Sequence, residues 1–427
     1  MTGNRIGRRF VTAIAVALLA GAPQILTPTA QAVPVVTPTR DDPGAVLESA
    51  PLPQSFWLPG TGAAYRITYE TTGPNGRTPC TGMVFVPAGS PPQGGWPVIA
   101  WAHGTIGDSD ADAPSRNGVD DASSSYVANW LARGYAVAAT DYIGLGTPGV
   151  PPYLNGKAAA HSVIDSVRAA RAVDNRLSPK WAVVGLSEGG QASVFTAHAA
   201  TEYAPELDYR GAVATGVPSN IETIAPLAGP NFPPPSLAGL TNFMTFVIAG
   251  LRDTHPELDV NSYLTPIGRT LVDAAPEMPY PQFAQLAANV SVAQMLSRSL
   301  NDPAILAALR DYLQVPTHGY DRPLMIQQGV RGPDRADAVD TQARRGHEPG
   351  RYLPGVQGLS RRPHRQHVRR RGRRRRLRRQ GIHVRARIGR TCMWALLRRV
   401  TRLARAGRVA PAARVARSTR VELSAAQ

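Results

Sequence analysis

At 427 residues the chain can hold one large α/β domain with an insertion, or two domains, with ample core. Its formal net charge of +17 suggests a nucleic-acid binder, but residues 1–330 carry 19 basic and 25 acidic side chains, and residues 331–427 carry 28 and 5. The body is mildly acidic, which argues against nucleic acid as its partner, and nothing in the placement of Cys80 and Cys392 on either side of residue 330 argues for a disulfide.

At the N-terminus Arg5, Arg8 and Arg9 precede an apolar stretch from Phe10 to Ala22, and Ala30 and Ala32 form a small-residue cleavage pattern. This is the layout of a signal peptide over residues 1–32, with Arg8 and Arg9 resembling a twin-arginine signal. The apolar stretch is shorter than the roughly 20 residues a spanning helix requires, so the expectation is a secreted protein without a transmembrane segment.

The segments AAYRITYETT and CTGMVFVPAG alternate apolar and polar residues on either side of GPNGRTP, which predicts an antiparallel pair at a sheet edge. WPVIAWA then predicts a buried strand that stops at His103, Gly104 and Thr105. The loop from Gly107 to Ser125 holds Asp108, Asp110, Asp112, Asp120 and Asp121, but their spacing matches no calcium loop, so a solvated loop without metal is expected. YVANWLARG predicts a helix with a glycine stop, and Tyr135–Thr140 a strand. GLGTPG lacks the third glycine and the helix start of a dinucleotide fingerprint, so no cofactor is expected. HSVIDSVRAARAVDN predicts a helix with Ala, Val and Ile on one face and Asp165, Arg168 and Arg171 on the other, with His161 at its start on the surface.

The chain is organised around WAVVGLSEGG, Trp181 to Gly190. A short β-branched strand runs into G-x-S-x-G and then into the helix-compatible QASVFTAHAA, which is the context of a nucleophile elbow at Ser187. Gly185 and Gly189 flank the serine because side chains there would collide with neighbouring backbone in so sharp a turn. In serine hydrolases of this architecture the turn after an earlier strand supplies one backbone oxyanion donor, here Thr105, and the residue after the nucleophile, here Glu188, supplies the other. His198, in the helix after the serine, is expected to point away from the site.

GAVATGV predicts the next strand, and Ser219–Gly319 an insertion of apolar helical segments broken by prolines. PLMIQQGV, Pro323 to Val330, predicts a late strand. Beyond it hydrophobic periodicity stops, and residues 331–427 hold 28 arginines and no lysine, including RRRGRRRRLRR. A triad needs an acid just past such a strand and a histidine some tens of residues later. Asp334 and Asp337, with His347, His364 or His367, are the substitutes on offer, and none has the strand and loop signals around it. Arginine-only basicity is what an off-frame reading of a GC-rich gene produces, so a frameshift near Val330 is expected, followed by an irregular or disordered tail. The competing reading is a polybasic arm that binds nucleic acid or an anionic envelope surface.

Together WAHGT, DYIGLGTPG, SVIDSVRAAR and VVGLSEGGQASVF resemble the secretory lipases of the α/β-hydrolase superfamily, which include fungal lipases of the A type and exported actinobacterial enzymes. The match runs from about Pro43 to Val330, with Glu188 standing where this family more usually shows glutamine. The resemblance implies an α/β-hydrolase fold with a mostly parallel sheet. It implies a core over 33–218, a helical lid or cap over 219–319 that closes over an acyl pocket, and a late core strand over 320–330. It also implies cofactor-free hydrolysis of triacylglycerols or shorter esters through an acyl-enzyme on Ser187. With the acid and histidine half missing, the alternative is an inactive lipid-binding relative.

Overall fold

The computed structural model describes residues 42–233 and 239–329. The expected signal peptide, Val330, the arginine-rich tail and the candidates Asp334, Asp337, His347, His364 and His367 lie outside the described residues.

Eight strands form one mixed sheet: β1 (Val46–Pro51), β2 (Thr61–Gly73), β3 (Gly76–Pro87), β4 (Trp96–Ala102), β5 (Ala136–Thr140), β6 (Leu177–Leu186), β7 (Asp208–Thr215) and β8 (Leu324–Gln327). Their order is β1-β2-β3-β5-β4-β6-β7-β8. The pairs from β1 to β5 are antiparallel, and those from β5 through β8 are parallel. The hairpin of β2 and β3 forms as its alternation predicts, but it does not sit at the edge. The six-residue strand β1 pairs outside it, in a segment whose Pro, Glu and Ser content carries little strand signal.

The first half of the chain adds α1 (Pro114–Asn117), α2 (Asp121–Leu131), α3 (Gly156–Val173) and α4 (Glu188–Tyr203). Strand β4 lies in the middle and is covered on both faces, which is why it reads as a continuous apolar run. Val98, Ala100 and Ala102 pack with Val163, Ile164 and Val194 of α3 and α4. Ile99 and Trp101 point the other way, onto Val127 and Leu131 of α2.

Between β7 and β8 the chain forms α5 (Leu240–Thr254), α6 (Pro266–Ala274), α7 (Tyr280–Ala287), α8 (Val292–Met295) and α9 (Pro303–Leu313). Their apolar faces share a second core that includes Phe246, Leu251, Leu271, Phe283 and Met295. Among the described residues no helix is long and apolar enough to cross a membrane.

Two surface expectations are corrected. Asp165 does not face solvent: it is fully buried, accepts hydrogen bonds from Thr71 Oγ1 at 2.8 Å and Tyr203 Oη at 2.9 Å, and pairs with Arg168 at 2.8 Å. Helical periodicity missed it because α3 is enclosed by β2 and α4 as well as by the sheet centre. Asp108 is buried too, although its neighbours in the acidic loop take surface roles: Asp110 pairs with Arg116, and Asp120 caps α2 by accepting from Ser123 N–H. His161 lies in the second turn of α3, stacked on Tyr203 with Nδ1 2.9 Å from the Thr72 carbonyl oxygen. Cys80 is buried in β3 and Cys392 lies outside the described residues.

Candidate active site

Ser187 is the single residue between β6 and α4, with φ 59° and ψ −118°. A non-glycine residue held there costs on the order of 1–3 kcal/mol, which neighbouring structure must supply. The Ser187 amide donates to the Thr215 carbonyl at 2.9 Å, locking the turn to the end of β7. The three glycines around it are steric requirements. A Cβ on Gly185 would overlap the Gly189 carbonyl oxygen, one on Gly189 would overlap the Ala102 carbonyl oxygen, and one on Gly190 would stand 2.5 Å from the Thr215 carbonyl oxygen. Helix α4 can therefore begin directly against the ends of β4 and β7.

The turn after β4 lies against this elbow, because a Cβ on Gly104 would be 3.1 Å from the Leu186 carbonyl oxygen and 3.8 Å from Ser187 Cβ. His103 is buried, its Nδ1 2.7 Å from the Gly104 carbonyl oxygen and its Nε2 3.3 Å from that of Asp141. Burial holds its pKa below the usual imidazole value, so the ring is a neutral strut of the turn. Thr105 Oγ1 and Tyr153 Oη share a hydrogen bond of 2.6 Å. Leu186, immediately before the serine, is 57% exposed and forms an apolar rim.

Glu188, the first residue of α4, is buried, and burial pushes its carboxyl up to about 8 against the lowering effect of a hydrogen bond with Thr105. Glu188 and Asp108 line one small cavity with Tyr142 and Tyr153. Tyr153 and Leu154 also line a larger apolar cavity of about 60 Å³, whose walls include Ile221, Phe232, Phe243, Met244, Val247 and Leu309. The structure thus brings together Ser187, Thr105 and Glu188, and Tyr153, hydrogen-bonded to Thr105, forms part of the wall of an apolar chamber lined mostly by the insertion. Sequence reasoning had no way to find Tyr153, which reaches the site from an irregular loop between β5 and α3.

Among the described residues no histidine or carboxylate hydrogen-bonds the Ser187 hydroxyl. His198 is exposed on α4 and packs edge-on to Tyr320. Strand β8 ends beside the elbow, with the Gly216 amide donating to the Gln327 carbonyl at 2.8 Å and Thr215 Oγ1 donating to Gln327 Oε1 at 3.0 Å.

Residues 118–282, which run from the loop before α2 through the elbow and into α7, match the family model described as secretory lipase. Over this segment the chain is similar to the secretory lipases. Lipase A of Moesziomyces aphidis is 28% identical over 234 residues, 51% of this chain and 47% of that protein. A protein of Mycobacterium tuberculosis named as a probable inactive lipase is 29% identical over 254 residues, 55% and 54% of the two chains. The chain spans about half the length of these curated relatives. Candida antarctica lipase A in its closed state superposes with a TM-score of 0.53 at 20% identity, over 68% of this chain and 70% of that one. The rice cell wall degrading esterase LipA of Xanthomonas oryzae gives 0.54 at 18% identity, over 68% and 83%. These likenesses establish the α/β-hydrolase fold, with a mostly parallel sheet and flanking helices.

Proposed function

We propose that the protein is a secreted serine ester hydrolase acting on acyl esters of lipids. The observation that carries this reading is the strained Ser187 at the strand-to-helix elbow. In the intact frame Ser187 Oγ attacks the ester carbonyl, its proton passing through a histidine to the departing alcohol. The backbone N–H groups of Thr105 and Glu188 stabilise the oxyanion because they are fixed before charge develops, and water then releases the acid from the acyl-enzyme. The acyl chain enters the chamber beyond Tyr153 and Leu154, under the helices of the insertion, which serve as the lid. A carboxylate and a histidine from beyond β8 complete the triad in the intact frame, and a frameshift near Val330 replaces them here. Acid-quenched mixtures with p-nitrophenyl butyrate, digested and weighed, test this: a butyryl group on the Ser187 peptide is expected, and its absence from that peptide, with product formed, contradicts it.

A second reading, a lipid-binding body without turnover, is favoured by the lack of a base at Ser187 among the described residues. It predicts retention of fatty-acid probes by the full chain with no ester hydrolysis above the buffer rate.

A further inference from the structure

The turn that carries Thr105 is held by side chains rather than by its own main chain. Among the described residues no amide from Thr105 to Asp108 donates a hydrogen bond to the protein, so the Thr105 N–H is left for an oxyanion and its aim depends on what grips the segment. Two tyrosines from the loop between β5 and α3 provide that grip. Tyr142 Oη donates to the His103 carbonyl at 3.0 Å, with its ring 4.5 Å from the imidazole. Tyr153 Oη shares its 2.6 Å hydrogen bond with Thr105 Oγ1. The two rings belong to different cores: Tyr142 packs with the sheet and its helices, whereas Tyr153 packs with the insertion, edge-on to Phe246 of α5 at 5.5 Å. Phe246 in turn lies against Phe283 and Tyr280 of α7, with ring centres 5.1 and 6.3 Å away. The turn is therefore anchored to the sheet at His103 and to the insertion at Thr105. The backbone at Tyr153 is fixed as well: its amide donates to the Pro151 carbonyl at 2.8 Å, and Leu154 holds φ at 62°, a conformation that leucine adopts only where its surroundings enforce it.

Given the hydrolase reading of Thr105 and of the apolar chamber, on which this rests, we infer that Tyr153 is a positioning residue that couples filling of the chamber to placement of the Thr105 amide. A tyrosine side chain has only two rotatable bonds, so its ring and hydroxyl move as one body. The ring walls the chamber beside Leu154, Phe243 and Met244, and the hydroxyl ends on Thr105. An acyl chain in the chamber adds packing contacts to the ring, restricts it, and through the hydroxyl restricts the turn. Tyr142 does not line the chamber and keeps the His103 end fixed in either case. The benefit falls on the transition state, because the Thr105 N–H is called on only when charge develops on the carbonyl oxygen. Esters whose acyl chain reaches Tyr153 therefore gain in kcat and not only in KM, and shorter esters lack that gain.

The test is amide hydrogen exchange of the full chain, read by mass spectrometry on peptides covering His103 to Asp108, with and without 1-octanol, whose affinity is measured by isothermal titration. Saturating octanol is expected to slow exchange of the turn by about fivefold or more in the unaltered chain. Tyr153→Phe keeps the chamber wall and removes the hydroxyl. It should bind octanol at least as tightly, because binding no longer has to order the turn, while exchange of the turn no longer responds. Thr105→Val cuts the same bond from the other side and should behave alike, which keeps the test open if Tyr153→Phe does not fold, and Thr105→Ser should restore the response. Ala228→Phe, which fills part of the chamber, should abolish octanol binding. An unaltered chain that binds no octanol, or whose turn ignores bound octanol, overturns the inference, as does a Tyr153→Phe chain whose turn responds like that of the unaltered chain. Neither readout involves ester turnover, so failure here leaves the hydrolase reading standing, and a Ser187 peptide without an acyl group would not alter the exchange result.

Discussion

At Ser187 and its neighbours, backbone geometry rather than side-chain chemistry decides what is allowed. Gly189→Ala forces a Cβ into the Ala102 carbonyl oxygen, and overpacking against backbone costs about 3 kcal/mol. Urea unfolding should show that loss, together with loss of any esterase activity. Glu188 imposes a pH dependence whose sign follows from burial. Its carboxyl is neutral in the folded protein up to about 8 and ionises near 4.5 when unfolded, so the folded state binds the extra proton between those values. The stability it contributes is complete below about 4.5 and is lost as pH rises through about 8, at no more than about 1.4 kcal/mol per pH unit. Urea midpoints measured from pH 5 to 8.5 should fall for the unaltered chain and fall less steeply for Glu188→Gln.

Among the elements, the elbow and its two strands were legible from sequence because each imposes a local pattern: a β-branched run, small residues around a sharp turn, and a helix-compatible continuation. The late strand was legible in the same way, and β8 forms over Leu324–Gln327 inside the expected segment. What local pattern cannot express is enclosure from a third direction. Asp165 reads as the polar face of a helix until β2 and Tyr203 close over it, and Asp108 reads as one of five loop carboxylates until the chain turns it inward. Asp165→Ala leaves the buried side of Arg168 and two hydroxyls without their acceptor and should cost roughly 3–5 kcal/mol in urea unfolding. In the insertion, Ala228→Phe fills part of the apolar chamber. If acyl chains lie there, the ratio of kcat/KM for p-nitrophenyl palmitate over butyrate should drop about tenfold, a difference of roughly 1.4 kcal/mol.

For the whole molecule, the composition changes at Val330, and in the proposed reading that change decides how much of the catalytic apparatus the chain carries. Residues 1–330 have the mildly acidic composition and patterned hydrophobicity of the described body, and residues 331–427 have neither. Restoring the downstream frame by one base should raise ester turnover by on the order of a thousandfold or more, the span between a complete triad and oxyanion stabilisation alone. Equal rates in the two chains would mean that the arginine-rich tail supplies a working acid and base. The most direct measurement is the rate of p-nitrophenyl butyrate hydrolysis by the frame-restored chain beside its Ser187→Ala variant. A rate that falls at least about a hundredfold on substitution is the predicted result. The same rate in both proteins would contradict Ser187 as the nucleophile.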